Sequence, residues 1–150
     1  MTATISRPKI SNWETSNIPN LTGKTALITG ANSGLGYYTA KALAEKNAHV
    51  VIACRSLEKA NQTIKKLKGL NPEGLFTPLE LDLSDLKNIV EVQSKIFDNF
   101  ENLDLLINNA GIMHPPKTLS AQGYEIQFAV NHLAHMLLTL KLLPIIEKKE

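Results

Sequence analysis

The sequence predicts an α/β domain built on a doubly wound parallel sheet, and two observations carry that prediction. Short apolar, β-prone runs alternate four times with helical segments along the 150 residues, the order that parallel strands joined by crossover helices require. The first of these runs also passes directly into a glycine-rich turn and out into a helix, A-L-I-T-G-A-N-S-G-L-G-Y-Y-T-A-K from Ala26 to Lys41. The expected strand order is 3-2-1-4, with a ligand crevice at the carboxyl ends of strands one and four.

Residues 1–22 are polar, contain Pro8 and Pro19, and read as an arm over the surface of a domain spanning 23–150. Trp13 is its candidate anchor, with a mobile tail as the alternative. Strand one covers 24–29, and its helix runs to about Lys46. Strand two, His49-Val50-Val51-Ile52-Ala53-Cys54, ends at Arg55 and Ser56, and Ser56 suits the N-cap of a helix carrying Lys59 to Lys68. Gly69, Asn71 and Pro72 close that helix. Strand three spans about 75–81, and Pro78, which has no N–H to give a neighbour, places it at a sheet edge. Asp82-Leu83-Ser84 turns the chain into a helix over about 85–100. Strand four, 103–107, leads into Asn108, Asn109, Ala110 and Gly111. After a loop at 113–120, a long helical segment covers about 122–148 and is apolar nearly all round, which requires burial on two sides.

Composition narrows the function. Sixteen basic against fourteen acidic residues give a net charge of +2, too even for a nucleic-acid or membrane-surface partner. The single cysteine, Cys54, cannot form an internal disulfide and reads as a small core residue, so a reducing, cytoplasmic location is expected. No stretch approaches the roughly 18 uninterrupted apolar residues of a membrane span, and the N-terminus lacks the features of a secretory signal. His132 and His135 stand at i, i+3 without a third ligand nearby, so no metal site is expected.

The glycine turn carries the chemistry. Gly30 allows a tight exit from the strand, Gly34 lets the backbone approach a ligand, and Gly36 allows close packing of helix on strand; Thr29, Asn32, Ser33 and Leu35 complete the loop. The free N–H groups of the new helix and its dipole favour an anion, and the pyrophosphate of a dinucleotide is the expected one. Arg55 follows strand two, where an acid would hold the ribose hydroxyls of NAD. No Asp or Glu ends this strand, and a guanidinium can pair with a 2′-phosphate, so NADP is expected, with Ser56 as a further hydroxyl contact. The alternative for Arg55 is a solvated surface arginine.

The spacing G-x-x-x-G-x-G opened by Thr29, the N-N-A-G at 108–111 and the string Q-F-A-V-N-H-L-A-H-M-L-L-T around Asn131 together resemble the short-chain dehydrogenase/reductase family over about 22–148. The segment from Asn108 to Pro144 is most similar to its retinol-dehydrogenase-like branch, with the protochlorophyllide reductases as a neighbouring branch. The resemblance implies a Rossmann fold and an NADP-dependent oxidoreductase moving hydride between nicotinamide and a carbonyl or alcohol. It implies that Asp82, followed by Leu83, accepts from the adenine amino group, beside the plainer role of an acid at a helix N-terminus. It implies that Asn109, Ala110 and Gly111 are cofactor-binding: Ala110 and Gly111 keep the crevice floor small enough for a ribose to lie against backbone, while the Asn108 and Asn109 side chains can bond neighbouring strand ends. The resemblance also implies a catalytic relay role for Asn131, disturbing its helix so that its backbone holds a water, with an ordinary buried, hydrogen-bonded Asn as the alternative; Ala134 stands where relatives often have Gly. A small carbonyl, alcohol, isoprenoid- or pigment-like substrate and a homo-oligomer formed through the long helix follow from the same resemblance.

The family's catalytic Ser and Tyr-x-x-x-Lys follow a fifth strand. Tyr37 and Lys41 have the spacing, but they stand on the helix after the glycine loop, at the pyrophosphate end, and read as a coincidence. The chain is therefore expected to be the N-terminal part of a longer enzyme, truncated after the fourth strand and its helix, and inactive alone. A non-catalytic nucleotide-binding or interaction module and a light-dependent protochlorophyllide reductase are the alternatives.

Overall fold

β1 (Thr25–Thr29) and β2 (His49–Cys54) are apolar at most positions, so each must be covered on both faces. The computed structural model, which describes residues 12–147, covers them in that way. α1 is Gly34–Ala44, α2 Leu57–Leu70, β3 Phe76–Glu80, α3 Leu86–Asn99 and β4 Leu105–Ile107. A continuous helical run follows, made of α4 (Ile126–Phe128), a π-helical turn (Ala129–Leu133) and α5 (Ala134–Ile146). The sheet is fully parallel with the order β3-β2-β1-β4, as the sequence predicts.

Strand alternation sorts the core into two layers. Ala26, Ile28, Val50 and Ile52 face Leu43, Ala60 and Leu67 of α1 and α2. Leu27, Val51 and Ala53 face Ile89, Val92 and Ile96 of α3 and Leu138 and Leu142 of α5. Leu27, Ile28, Ile52, Ile89, Leu138 and Leu142 are fully buried, and each such side chain stabilises the fold by about 1.5–3 kcal/mol. β3 holds the outer edge because of Pro78. Leu75 O accepts from Val50 N and Leu81 N donates to Cys54 O, so odd-numbered residues of this strand face β2 and Pro78 faces outward, where its missing N–H breaks no ladder bond.

Element ends depart from the sequence reading in three places. The long helix begins at Ile126 rather than near 122. Residues 120–125 instead form a turn, with Gly123 at φ +83°, Ser120 N donating to Tyr124 O, and the Glu125 carboxylate accepting from Gln127 N and Phe128 N. β4 is shorter than expected: Leu103 is buried but precedes the strand and donates its N–H to Ile145 O. α2 continues through Gly69 to Leu70, with Asn71 as its C-cap.

Trp13 does not anchor the arm, since it is 56% exposed. Ile18 and Leu21 pack against the α1/α2 core instead, and Leu21 N donates to Lys46 O at 2.7 Å. The run Ile126–Ile146 is, by length and composition, apolar enough to cross a membrane. A count of uninterrupted apolar residues misses it because Asn131, His132, His135, Thr139 and Lys141 interrupt it. Its inner residues pack on α3 and the sheet.

Candidate functional site

β1 delivers Thr29 to the carboxyl edge of the sheet, and the chain must there reverse into α1. Gly30 takes φ +65°, and a Cβ on it would come within 2.9 Å of Ala110 Cα. Gly34 takes φ +54° at the first turn of α1, with open space where a side chain would stand. A Cβ on Gly36 would lie 2.5 Å from Asn109 Nδ2 and 2.6 Å from Gly30 O, so this glycine packs against the loop and the end of β4. Ser33 is the N-cap of α1, yet its hydroxyl makes no capping bond. The first turn of α1 is therefore uncapped by Ser33 and unobstructed at Gly34, an arrangement suited to an anion.

The floor of the crevice is made by the residues after β4. Thr29 Oγ1 accepts from Asn109 N and Ala110 N, both at 2.9 Å, and lies 3.0 Å from His135 Nε2. Asn109 Nδ2 donates to Thr29 O at 2.9 Å. Further along, Asn131 grips Ile112 twice, accepting from Ile112 N and donating to Ile112 O, both at 2.9 Å. Asn131 sits inside the π turn, where Ala134 N–H donates to Ala129 O, and its side chain is exposed rather than buried among the apolar residues around it. His135 Nδ1 lies 3.4 Å from Asn131 O. Burial holds the His135 imidazole below its ordinary pKa, with the Asn131 carbonyl acting in the opposite sense.

A crevice of about 420 Å³ opens above this floor. Thr29, Gly30 and Asn32 line one side, Ala110 and Gly111 the base, and Asp82, Leu83 and Arg55 the far side. The Arg55 guanidinium is exposed and pairs with no carboxylate among the described residues. Asp82 Oδ1 accepts from Ser84 N and Ser84 Oγ, while Asn88 Oδ1 accepts from Asp82 N, so the turn that presents this carboxylate is itself cross-braced. The 113–125 loop is latched to the same turn: Gln122 Nε2 donates to Asp85 Oδ1 at 2.6 Å, and Gln122 Oε1 accepts from Leu86 N. A second hollow of about 530 Å³ lies at the opposite end of α3, lined by Phe97, Phe100, Pro144 and neighbours, and holds none of the predicted site residues.

A family model for short chain dehydrogenases matches residues 24–150. The chain belongs to the short-chain dehydrogenase/reductase family. Human retinol dehydrogenase 13 is 44% identical over 117 residues, covering 78% of this chain and 35% of that enzyme. Among solved structures, an uncharacterised protein from Mycobacterium Paratuberculosis is 38% identical at a TM-score of 0.79, covering 90% of this chain and 47% of the other. A metagenomic short-chain oxidoreductase in complex with NADP is 27% identical at a TM-score of 0.73, covering 85% and 58%. The chain thus spans well under two thirds of each of these relatives.

The predicted residues fall in different places relative to this crevice. Thr29, Gly30, Asn32, Arg55, Asp82, Leu83, Ala110 and Gly111 come together around one crevice. Ser33, Gly34, Leu35 and Gly36 shape its glycine-turn end without lining it, and Asn109 and Asn131 brace its floor from behind. Ser56 is drawn away, its oxygen accepting from Lys59 N to cap α2. Tyr37 and Lys41 stay apart from the crevice; Lys41 pairs with Glu45 at 2.7 Å, one turn along α1. Cys54, read as core, is buried but also lines the crevice; burial pushes its thiol up, and the backbone N–H groups of Asn32 and Ala31 pull it down. Pro115, Thr118 and Ile126 are lining residues with no motif to reveal them, and Val130 lines the crevice from within the string around Asn131.

Proposed function

We propose that this chain forms the adenosine- and phosphate-binding half of an NADP-dependent oxidoreductase that moves hydride between nicotinamide and a small-molecule carbonyl or alcohol. The observation that carries the reading is a crevice with an open glycine turn at one end and, on its far side, an arginine that pairs with no carboxylate among the described residues. The NADP-bound relative of the same fold supports it. NADP(H) would supply or receive the hydride; the residues of this chain bind and orient it. The α1 N-terminus, with Asn32, Ser33, Gly34, Leu35 and Gly36, meets the pyrophosphate. Arg55 meets the 2′-phosphate, to which Ser56 can offer only its hydroxyl proton. Asp82 and Leu83 meet the adenine, the floor at 109–111 meets a ribose, and Asn131 holds the relay position. The human relative's name brings an isoprenoid alcohol into the substrate class. Phe128, Met136 and Leu140, each half exposed on one helical run, form the face for self-association.

Titration with NADPH and NADH tests the nucleotide assignment. The unaltered chain should prefer NADPH, and Arg55→Asp should shift the preference toward NADH; an unchanged NADPH affinity would remove Arg55 from the site. The same 150 residues should bind NADPH without oxidising it in the presence of a carbonyl. Turnover by the purified chain would overturn the placement of the proton donor outside these residues.

A further inference from the structure

We infer that His135 is a positioning residue, a neutral imidazole with its proton on Nδ1 that closes a hydrogen-bonded circuit holding the crevice floor. The donors and acceptors around Thr29 Oγ1 fix the ring's proton. A threonine hydroxyl has two lone pairs and one proton. Asn109 N–H and Ala110 N–H, both at 2.9 Å, use the two lone pairs of Thr29 Oγ1. Its proton must go elsewhere, and the two acceptors within reach are His135 Nε2 at 3.0 Å and Ile107 O at 3.5 Å. The shorter contact takes it, so Nε2 carries a lone pair. The ring's one proton then sits on Nδ1, which faces Asn131 O at 3.4 Å.

Every link of the circuit is then directed. The floor amides donate to Thr29, Thr29 donates to His135, His135 donates to the Asn131 carbonyl, and Asn131 Nδ2 donates to Ile112 O at the far end of the same floor segment. Hydrogen bonds aligned in this way polarise one another. His135 is buried, which holds its pKa down, and the one opposing influence is the Asn131 carbonyl that the Nδ1 proton already meets. Protonation would turn Nε2 into a donor aimed at an oxygen whose lone pairs are already taken. The circuit joins residues 106 positions apart, from the end of β1 to the first turn of α5. The imidazole alone spans both contacts. Asn can reproduce the Nδ1 donor, Gln can reproduce the Nε2 acceptor, and neither reproduces both.

The test uses the full 150-residue chain with ¹⁵N-labelled histidine and no nucleotide, so its outcome is separate from the NADP reading. Long-range ¹H–¹⁵N correlation reads the tautomer of each ring, and the His135 signal is the one lost in His135→Gln. The expected result is a neutral Nδ1–H tautomer at pH 7; an Nε2–H tautomer, a charged ring or a rapidly exchanging mixture would overturn the inference. Amide hydrogen exchange supplies the second readout. His135→Leu should accelerate exchange at Asn109 and Ala110 by about tenfold, while Leu27 and Val51 keep their rates. His135→Gln should restore protection at Asn109 and Ala110, and His135→Asn should not. Unchanged exchange at both amides in His135→Leu would also overturn it. Should His135→Leu fail to fold, the tautomer in the unaltered chain still decides.

Discussion

The two ends of the crevice are built on opposite plans. At the glycine turn, polar groups stand open: Ser33 makes no capping bond, Gly34 borders empty space, and Arg55 across the crevice has no carboxylate partner among the described residues. At the floor, polar groups are engaged with one another, from Thr29 through Asn109 and Ala110 to Asn131 and His135. The difference separates binding from support. Groups left open are the ones a ligand can use, whereas groups already satisfied fix where the floor lies and offer a ligand mainly shape.

Substitutions on the two sides should therefore fail differently. The largest effect is expected for Thr29→Val, which leaves two backbone N–H groups and one imidazole nitrogen without their partner. Each buried group so orphaned costs about 1–3 kcal/mol, and urea denaturation should show a large fall in midpoint; a midpoint close to that of the unaltered chain would break the contrast. Gly36→Ala comes next, because its Cβ meets a backbone carbonyl that cannot yield, and a loss of about 1–3 kcal/mol in stability is expected. Gly34→Ala sharpens the comparison. Its Cβ meets nothing, so the cost is left-handed backbone strain of about 1–2 kcal/mol, and NADPH affinity should fall further than stability does.

The smallest expected effect is a pH dependence. Burial lowers the pKa of both His135 and His49 from 6.5. The unfolded chain therefore takes up protons first as pH falls. The stability that these rings contribute is intact above about 6.5 and is lost as pH drops toward their lowered folded values. Denaturation midpoints measured across that window should decline toward acid, and His135→Gln should flatten the decline. A flat profile in the unaltered chain would contradict the burial of both rings.

Much of this organisation is legible in the sequence, for local reasons. Apolar runs of five or six residues between turn formers mark β1 and β2, and Pro78 marks the edge strand. The glycine turn, Arg55, Asp82 and the floor at 108–111 are legible because each follows directly on a strand, and the parallel topology brings strand ends together. What stays hidden depends on distance or on helix geometry. Nothing near Thr29 announces that its hydroxyl meets His135, and Gln122 has no local pattern tying it to Asp85. The start of the last helix at Ile126 depends on Glu125 as a cap and on a turn around Gly123, and apolar content extends the helix past both. The expected disturbance at Asn131 is present as a π turn, but the exposure of its side chain could not be read from apolar neighbours.

The margins of the sheet are unequal, and this gives the fold a direction of growth. On the β3 side, Pro78 faces outward without an N–H, so a newcomer strand would find its template interrupted. On the β4 side, Leu105, Leu106 and Ile107 pair only with β1 among the described residues, and Leu105 is 37% exposed. The β4 margin therefore presents an open ladder to an incoming strand, while the β3 margin is blunted.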